Sequence, residues 1–340
     1  MREPAFWQRP SSLLSHLLMP LAAVYGEVAA TRMKKLGIEV GIPVFCIGNY
    51  HVGGAGKTQT ALALVALLRE LGETPIVLSR GYGGSLHGPV KVDPERHRAT
   101  EVGDEPLMLA RRVPVVIARD RVDGAALARS TNASVIVMDD GFQNPAIAKD
   151  TSLIVIDGDR GLGNGRVLPA GPLRAPLDVQ LARSDALVIV GHGHAADGVA
   201  NAIAAQGGPV WRAQITPDAA TVAMLRGKGL LAFCGIGDPR RFFRTLEASH
   251  VDVVIEKAFP DHHPYTPADL DALLAQAKSK GLTLVTTEKD LVKLRALPGA
   301  SDIVPFTVTL EFDNAAALKT FVLTQLNKAR TSNSRGGPGA

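Results

Sequence analysis

Gly48-Asn49-Tyr50-His51-Val52-Gly53-Gly54-Ala55-Gly56-Lys57-Thr58 follows the apolar run Pro43–Ile47 and leads into a helical pattern over Gln59–Leu71. Glycines let backbone N–H groups turn inward around phosphate oxygens, and the start of a helix adds a favourable dipole. A lysine closing such a loop spans the β- and γ-phosphates, and the hydroxyl after it coordinates Mg2+. The strict pattern G-x-x-x-x-G-K-[ST] has glycine where this chain has His51, but the strand–loop–helix context is correct. His51, Val52, Gly53, Gly54, Ala55, Gly56, Lys57 and Thr58 are therefore read as a cradle for Mg-ATP, with Thr58 on the metal.

Outward from this loop, apolar β-rich runs alternate with helical patterns. Pro75–Leu78, Val113–Ile117, Ser134–Met138, Ser152–Ile156 and Ala186–Val190 join Pro43–Ile47 as strands, and Gly72 closes the first helix. Continuous apolar strands with helical crossovers predict an α/β fold, a P-loop NTPase-like parallel sheet covered by helices. Gly207-Gly208-Pro209 reads as a linker, after which Leu230–Cys234, Val251–Ile255, Leu282–Thr286 and Ile303–Val308 predict a second, smaller α/β domain. The expected division is an N-terminal amphipathic helical segment over 1–40, a P-loop core over 41–207, the smaller domain over 208–328 and a disordered, apolar-poor tail over 329–340.

Composition excludes several classes. In 340 residues, 46% are hydrophobic and 21% charged, enough apolar content for a sizeable core. The net charge of +4 suits an anionic substrate or membrane surface, and without a concentrated Arg/Lys stripe it does not point to nucleic acid. Cys46 and Cys234 sit in apolar runs and read as buried hydrophobes of a reducing compartment. Arg2 and Arg9 precede the apolar stretch Leu13–Val24, which imitates a signal peptide. Ser15, His16 and Pro20 interrupt that stretch, and it is shorter than the ~20 residues a spanning helix needs. A cytoplasmic protein is expected.

A P-loop enzyme also needs a carboxylate near its metal. Asp139-Asp140-Gly141 ends the strand Ser134–Met138 and fits that place. Asp-Asp-Gly after a strand is also an ordinary turn; the cradle upstream favours the metal reading for Asp139 and Asp140. A switch ATPase would have lysine where Val52 stands, and the guanine clamp of a GTPase is not matched by Thr287-Glu288-Lys289-Asp290. Transfer to a hydroxyl asks for a base. Asp104 in Gly103-Asp104-Glu105-Pro106 is either a helix N-cap or that base, two roles that do not exclude each other. Asp261-His262-His263 is a poor metal site, because adjacent histidines point apart, but it can supply a proton relay. Arg80, Arg119 and Arg121 follow strands, where open α/β sheets bind ligands, and Arg121 is placed in the catalytic set.

Taken in order, these pieces resemble the tetraacyldisaccharide 4'-kinases over roughly residues 10–325. The resemblance rests on Gly48-Asn49 with Val52–Thr58, Ser79-Arg80-Gly81-Tyr82-Gly83, Gly103–Pro106 and Asp139-Asp140-Gly141-Phe142-Gln143. Gly163-Asn164-Gly165-Arg166, Leu168–Arg174, Asp261-His262 and Thr287–Asp290 complete it. It implies phosphorylation of the 4'-hydroxyl of a tetraacyldisaccharide 1-phosphate to lipid IVA at the cytoplasmic face of the inner membrane. It also implies Asp104 as base paired with His262, and nucleotide and metal roles for Lys57, Thr58, Asp139 and Asp140. The chain departs from that family's pattern at Asn144 and Ala175. A lipid acceptor gives the N-terminal stripe of Leu14, Leu18, Leu21, Tyr25 and Val28, followed by Arg32, Lys34 and Lys35, an expected place at the membrane interface. The competing reading is a P-loop NTPase acting as a conformational switch or binding module, which would have no use for Asp104 with His262.

Overall fold

The computed structural model describes residues 4–9 and 12–335; Arg2 and the last five residues of the expected tail lie outside them. The strands are β1 Val44–Gly48, β2 Pro75–Ser79, β3 Val90–Lys91, β4 Val115–Ile117, β5 Val135–Asp139, β6 Thr151–Asp157 and β7 Ala186–Val190. They continue as β8 Val210–Pro217, β9 Gly229–Cys234, β10 Asp252–Ala258, β11 Thr283–Thr287, β12 Val304–Phe306 and β13 Val308–Phe312. Nine of them form one sheet in the order β13-β8-β7-β6-β1-β5-β2-β4-β3. Only the edge strands run antiparallel, β3 to β4 and β13 to β8. β1, β2, β5 and β6 are buried along their whole length, as strands covered on both faces must be. Phe45, Val77, Val137 and Val155 pack into one apolar cluster, and Cys46, Ile76, Ile136 and Ile154 into another, so alternate residues serve opposite faces.

β10-β9-β11-β12 form a second, all-parallel sheet. Of the stretch expected as the smaller domain, β8 and β13 belong to the large sheet, and the helix Ala315–Arg335 returns Leu318, Val322 and Leu326 to its core. Gly207-Gly208-Pro209 is accordingly a turn within the large sheet rather than a boundary. The smaller unit is inserted between neighbouring strands, and the two crossings touch where Asp218 N donates to Thr307 O at 2.9 Å. The helix also runs past residue 329, because Ala329 is buried, so the expected tail is helical as far as Arg335.

The N-terminal segment is two helices, Leu13–Leu17 and Met19–Met33, with Pro20 in the first turn of the second, where its missing N–H costs nothing. Ala22, Gly26, Ala30 and Met33 face inward, and a Cβ on Gly26 would sit 3.5 Å from Pro176. Leu13, Leu14, Leu17, Met19, Leu21, Val24, Tyr25 and Val28 are all exposed. Small residues inside and large apolar residues outside reverse the order of a core-packing helix. No described helix is long and apolar enough to cross a membrane.

Candidate active site

β1 lies in the middle of the large sheet, and its register sets Ile47 beside Asp139 at the C-terminal end of β5. The loop after β1 and the residues after β5 therefore open on the same edge, the edge where ligands of open α/β sheets bind. The loop reaches the helix Lys57–Glu70 through Gly56, whose φ of 92° is left-handed and whose Cβ position is 3.3 Å from Val190 Cγ2. No other residue fits there without strain. Asn49 Nδ2 donates to Gly53 O, and Val52 N donates to Pro172 O, bracing the loop from both sides. Beneath it Gln143 Nε2 donates to Asn49 O, and Gln180 Nε2 to Tyr50 O and Ala175 O.

His51, at the position of the missing glycine, is buried, with Nδ1 2.9 Å from Val52 O and Nε2 without a partner among the described residues. Burial, helped by the charges of Lys57, Arg160 and Arg174, pushes its pKa down to about 4, so it is neutral near pH 7.

Asp139 and Asp140 are unequal. Asp139 is buried, its Oδ1 has no partner among the described residues, and burial together with Glu105 and Asp140 pushes its pKa up to about 7. Asp140 also loses solvent, but Lys57 Nζ at 3.3 Å and Arg174 Nη1 at 2.7 Å outweigh that and bring it down to about 2. Asp140 has φ 51°, a strained conformation for a residue with a side chain. An under-neutralised carboxylate beside a cation-paired one is a donor set that a divalent cation completes. Among the described residues no three His, Cys, Asp or Glu form a closed metal site. Mg2+ does not ask for one, since it takes one or two carboxylates plus phosphate and water. Arg121 is buried near the same carboxylates: Nη1 donates to Ala118 O, Nε has no partner among the described residues, and burial and Arg80 lower its pKa. Arg80 and Arg119 are exposed.

Gly103, with φ 91°, is the N-cap, so Asp104 is the first helical residue of Asp104–Ala110 rather than the cap, and its Oδ1 accepts from Glu105 N. Its Oδ2 meets His262 Nδ1 at 2.9 Å, a contact between residues 158 apart. His262 comes from the loop after β10 in the smaller sheet, and like Asp140 it is held left-handed, at φ 56°. Burial raises Asp104, but the hydrogen bond to His262 and the charges of Lys289, His262 and Lys293 reverse that, leaving its pKa below the usual carboxylate value. The same hydrogen bond raises His262, against burial and Lys289. The neighbouring His263 points away, stacked on Phe259 and bonded to Asp269.

Sequence reasoning used Thr287-Glu288-Lys289-Asp290 only to exclude a guanine clamp and as part of a resemblance. In the structure it opens the helix Glu288–Leu294 and joins the two sheets. Lys289 Nζ pairs with Glu105 at 2.9 Å and lies 3.9 Å from Asp104, while Glu288 pairs with Arg112. Asp290, fully buried, accepts from Gly235 N. A lysine with two acidic partners on another domain leaves no signal in local sequence.

The profile of the tetraacyldisaccharide-1-P 4'-kinase family matches residues 14–327 of the chain. A tetraacyldisaccharide 4'-kinase of Rhodopseudomonas palustris strain HaA2 is 63% identical over 333 residues, 97% of this chain and 98% of that protein. One from Nitrobacter winogradskyi is 62% identical over 334 residues, 97% of this chain and 99% of that protein. Among solved structures, LpxK from Aquifex aeolicus in complex with ATP is similar at a TM-score of 0.73 and 25% identity, covering 92% of this chain and all of that one.

Proposed function

The chain belongs to the tetraacyldisaccharide-1-P 4'-kinase family, and we propose that its cradle binds Mg-ATP while Asp104 and His262 activate the 4'-hydroxyl of a tetraacyldisaccharide 1-phosphate. It is an enzyme, a kinase of lipid A biosynthesis. The observation that carries the site reading is the 2.9 Å bond between Asp104, on a helix of the large sheet, and His262, on a loop of the small one. A nucleotide switch gains nothing from a buried carboxylate held ionised by a histidine of another domain, whereas a hydroxyl that attacks phosphorus must lose its proton.

Asp104 takes that proton, and His262 stabilises the pair as the charge shifts. Lys57 leaves Asp140 for the β- and γ-phosphate oxygens, and the loop N–H groups from Val52 to Thr58 enclose them. Arg121, buried beside Arg80, gains a counter-charge when the γ-phosphate arrives. Thr58, Asp139 and Asp140 would hold Mg2+, which neutralises charge on the phosphates; the unpartnered Oδ1 of Asp139 supports that assignment.

The exposed stripe supports peripheral binding at the cytoplasmic face of the inner membrane, with Arg32, Lys34 and Lys35 against anionic head groups. Purified protein given Mg-ATP and a disaccharide 1-phosphate lipid should yield a doubly phosphorylated lipid; ATP hydrolysis without lipid product would favour the switch. Leu17→Glu with Leu21→Glu should abolish flotation with anionic liposomes without unfolding the protein. Unchanged flotation would remove the stripe from membrane binding.

A further inference from the structure

Asp290 is a buried carboxylate that the chemistry above leaves unused. It lies in the first turn of the helix Glu288–Leu294, whose cap is Thr287: Thr287 Oγ1 accepts from Asp290 N at 3.1 Å and donates to Asp290 Oδ2 at 2.8 Å. A carboxylate suits the start of a helix, and that exchange would be role enough. Yet Oδ2 also accepts from Gly235 N at 2.9 Å, 55 residues away at the end of β9, and Oδ1 lies 2.7 Å from Lys293 Nζ. Both side chains of this ion pair are buried, Asp290 completely, and the ammonium sits 5.1 Å from the centroid of the Tyr265 ring. Desolvation offsets much of what a buried ion pair gains, so stability alone explains it poorly.

Gly235 is where the pair exerts its geometry. Its N–H is held by Asp290, and its carbonyl accepts from His262 N at 3.1 Å, so one residue joins the carboxylate to the backbone of the histidine. Cys234 O, one residue earlier, accepts from Phe259 N at 2.8 Å. A Cβ on Gly235 would lie 3.1 Å from Pro260 O and 3.2 Å from both His263 Cβ and Tyr265 Oη, so a side chain there would press the loop away from the strand. His262 needs such a seat. Its φ of 56° is one that a residue with a side chain seldom keeps unaided, and its Nδ1 has to stay 2.9 Å from Asp104, on a helix of the large sheet.

We propose that Asp290, held by Lys293, is a positioning residue for His262: through Gly235 it fixes the backbone from which the imidazole reaches Asp104. This role rests on the reading of Asp104 and His262 as the acid–base pair, and gives that pair a support behind its loop.

Two double variants separate the hydrogen bond from the charges. Asp290→Asn with Lys293→Met keeps an oxygen for Gly235 N; Asp290→Ala with Lys293→Met removes it, and the two proteins carry the same charges. The charged groups facing His262 are Asp104, Asp261 and Lys289, unchanged in both. The imidazole is titrated by NMR in the full chain without substrate. Its pKa, raised in the wild type by the bond to Asp104, should stay raised in the asparagine pair and fall towards the ordinary imidazole value in the alanine pair. In turnover of Mg-ATP with the disaccharide 1-phosphate lipid, the alanine pair should have kcat about tenfold below the asparagine pair, at the same KM for ATP. Placed on His262→Ala, the two pairs should be equal, because no ring is left to position. An imidazole pKa equal in the two pairs, or a gap in kcat that persists without His262, would make Asp290 a fastening of the small sheet and overturn the proposal. If the alanine pair does not fold, Asp290→Ser with Lys293→Met, whose hydroxyl sits on a shorter stem, takes its place in both measurements. Failure of the acid–base reading would show separately, as a His262→Ala enzyme with normal kcat, and the NMR comparison would still decide the role of Asp290.

Discussion

In the proposed mechanism the glycine-rich loop after β1 and the Asp104–His262 pair serve one reaction, but the two are built in opposite ways. The cradle is a single stretch on a single sheet, held by glycine geometry and by the Gln143 and Gln180 amides that donate to its carbonyls from beneath. The cleft joins a helix of the large sheet to a loop and a helix of the small one, through ions rather than through chain connectivity. On that reading, cradle groups would meet the nucleotide whatever the protonation state of the Asp104–His262 pair, so their loss should lower the rate at all pH values alike. Cleft groups set one another's charge, so their loss should move the pH profile.

Lys57→Ala should have the largest effect. A charge aimed at the transferred phosphoryl group is worth about 10³-fold or more, and turnover should fall by at least that. The pH dependence of the residual rate should keep its shape, and thermal melting should hardly change, since among the described residues Lys57 pairs only with Asp140, itself also held by Arg174. Near-normal turnover would break the comparison at its first member.

Asp104→Asn comes next, with kcat down roughly 10²- to 10⁴-fold, the usual span for a general base. Asparagine keeps the oxygen that accepts from Glu105 N, so the helix should survive and ATP affinity, read by titration, should stay close to wild type. An enzyme with normal kcat would leave Asp104 as an ion-pair partner of the interface, and the base would have to be sought elsewhere.

The same contrast explains what was legible in the sequence. Strand–loop–helix chemistry is local, so the cradle, Asp139, Asp140 and the α/β class could be read from residue order. Asp104 and His262 were visible as residues, but pattern alone left Asp104 as a helix cap, a base or both, and their contact is a tertiary fact. The insertion of the small sheet between β8 and β13 was hidden because Gly207-Gly208-Pro209 imitates a linker, and because β13 returns only after the insertion. Lys289 was hidden for a related reason: its partners lie 184 residues away in the chain for Glu105. Asp140 and His262 carry left-handed backbone that neither residue type announces.

His262→Ala should cost less at neutral pH, about tenfold, because Asp104 remains. The base acts ionised, and its depressed pKa keeps it ionised to low pH. Without His262 the opposing effect of burial gains weight, the pKa of Asp104 rises, and activity is lost at a higher pH as the solution is acidified. Combined with Asp104→Asn, the histidine change should add little, as for two groups acting as a unit. Multiplying losses would mean that the pair is two independent devices.

The smallest effect, and the sharpest test of the comparison, belongs to Lys289→Met. Burial works against the charge of Lys289, but Glu105 and Asp104 more than offset it and push its pKa up, so the ammonium stays charged across the working range. The substitution keeps most of the stem and removes the charge. Asp104 then loses one of the positive charges that hold its pKa down against burial, leaving His262 and Lys293, and its pKa should rise. Well above that pKa the carboxylate is still ionised and kcat should drop only about threefold, the scale of one screened ion pair. Towards the acidic side the deficit should widen, because the variant protonates before the wild type does. Lys289→Arg should return the acidic limb to its place even if it fits less well. The ratio of variant to wild-type kcat at high and low pH is therefore the decisive reading, and it does not depend on how much either protein has lost in stability. A ratio independent of pH would make Lys289 only a fastening between the two sheets. The charge in the cleft would then be set by Asp104 and His262 alone, and the pH sensitivity claimed for the whole cleft would contract to that pair.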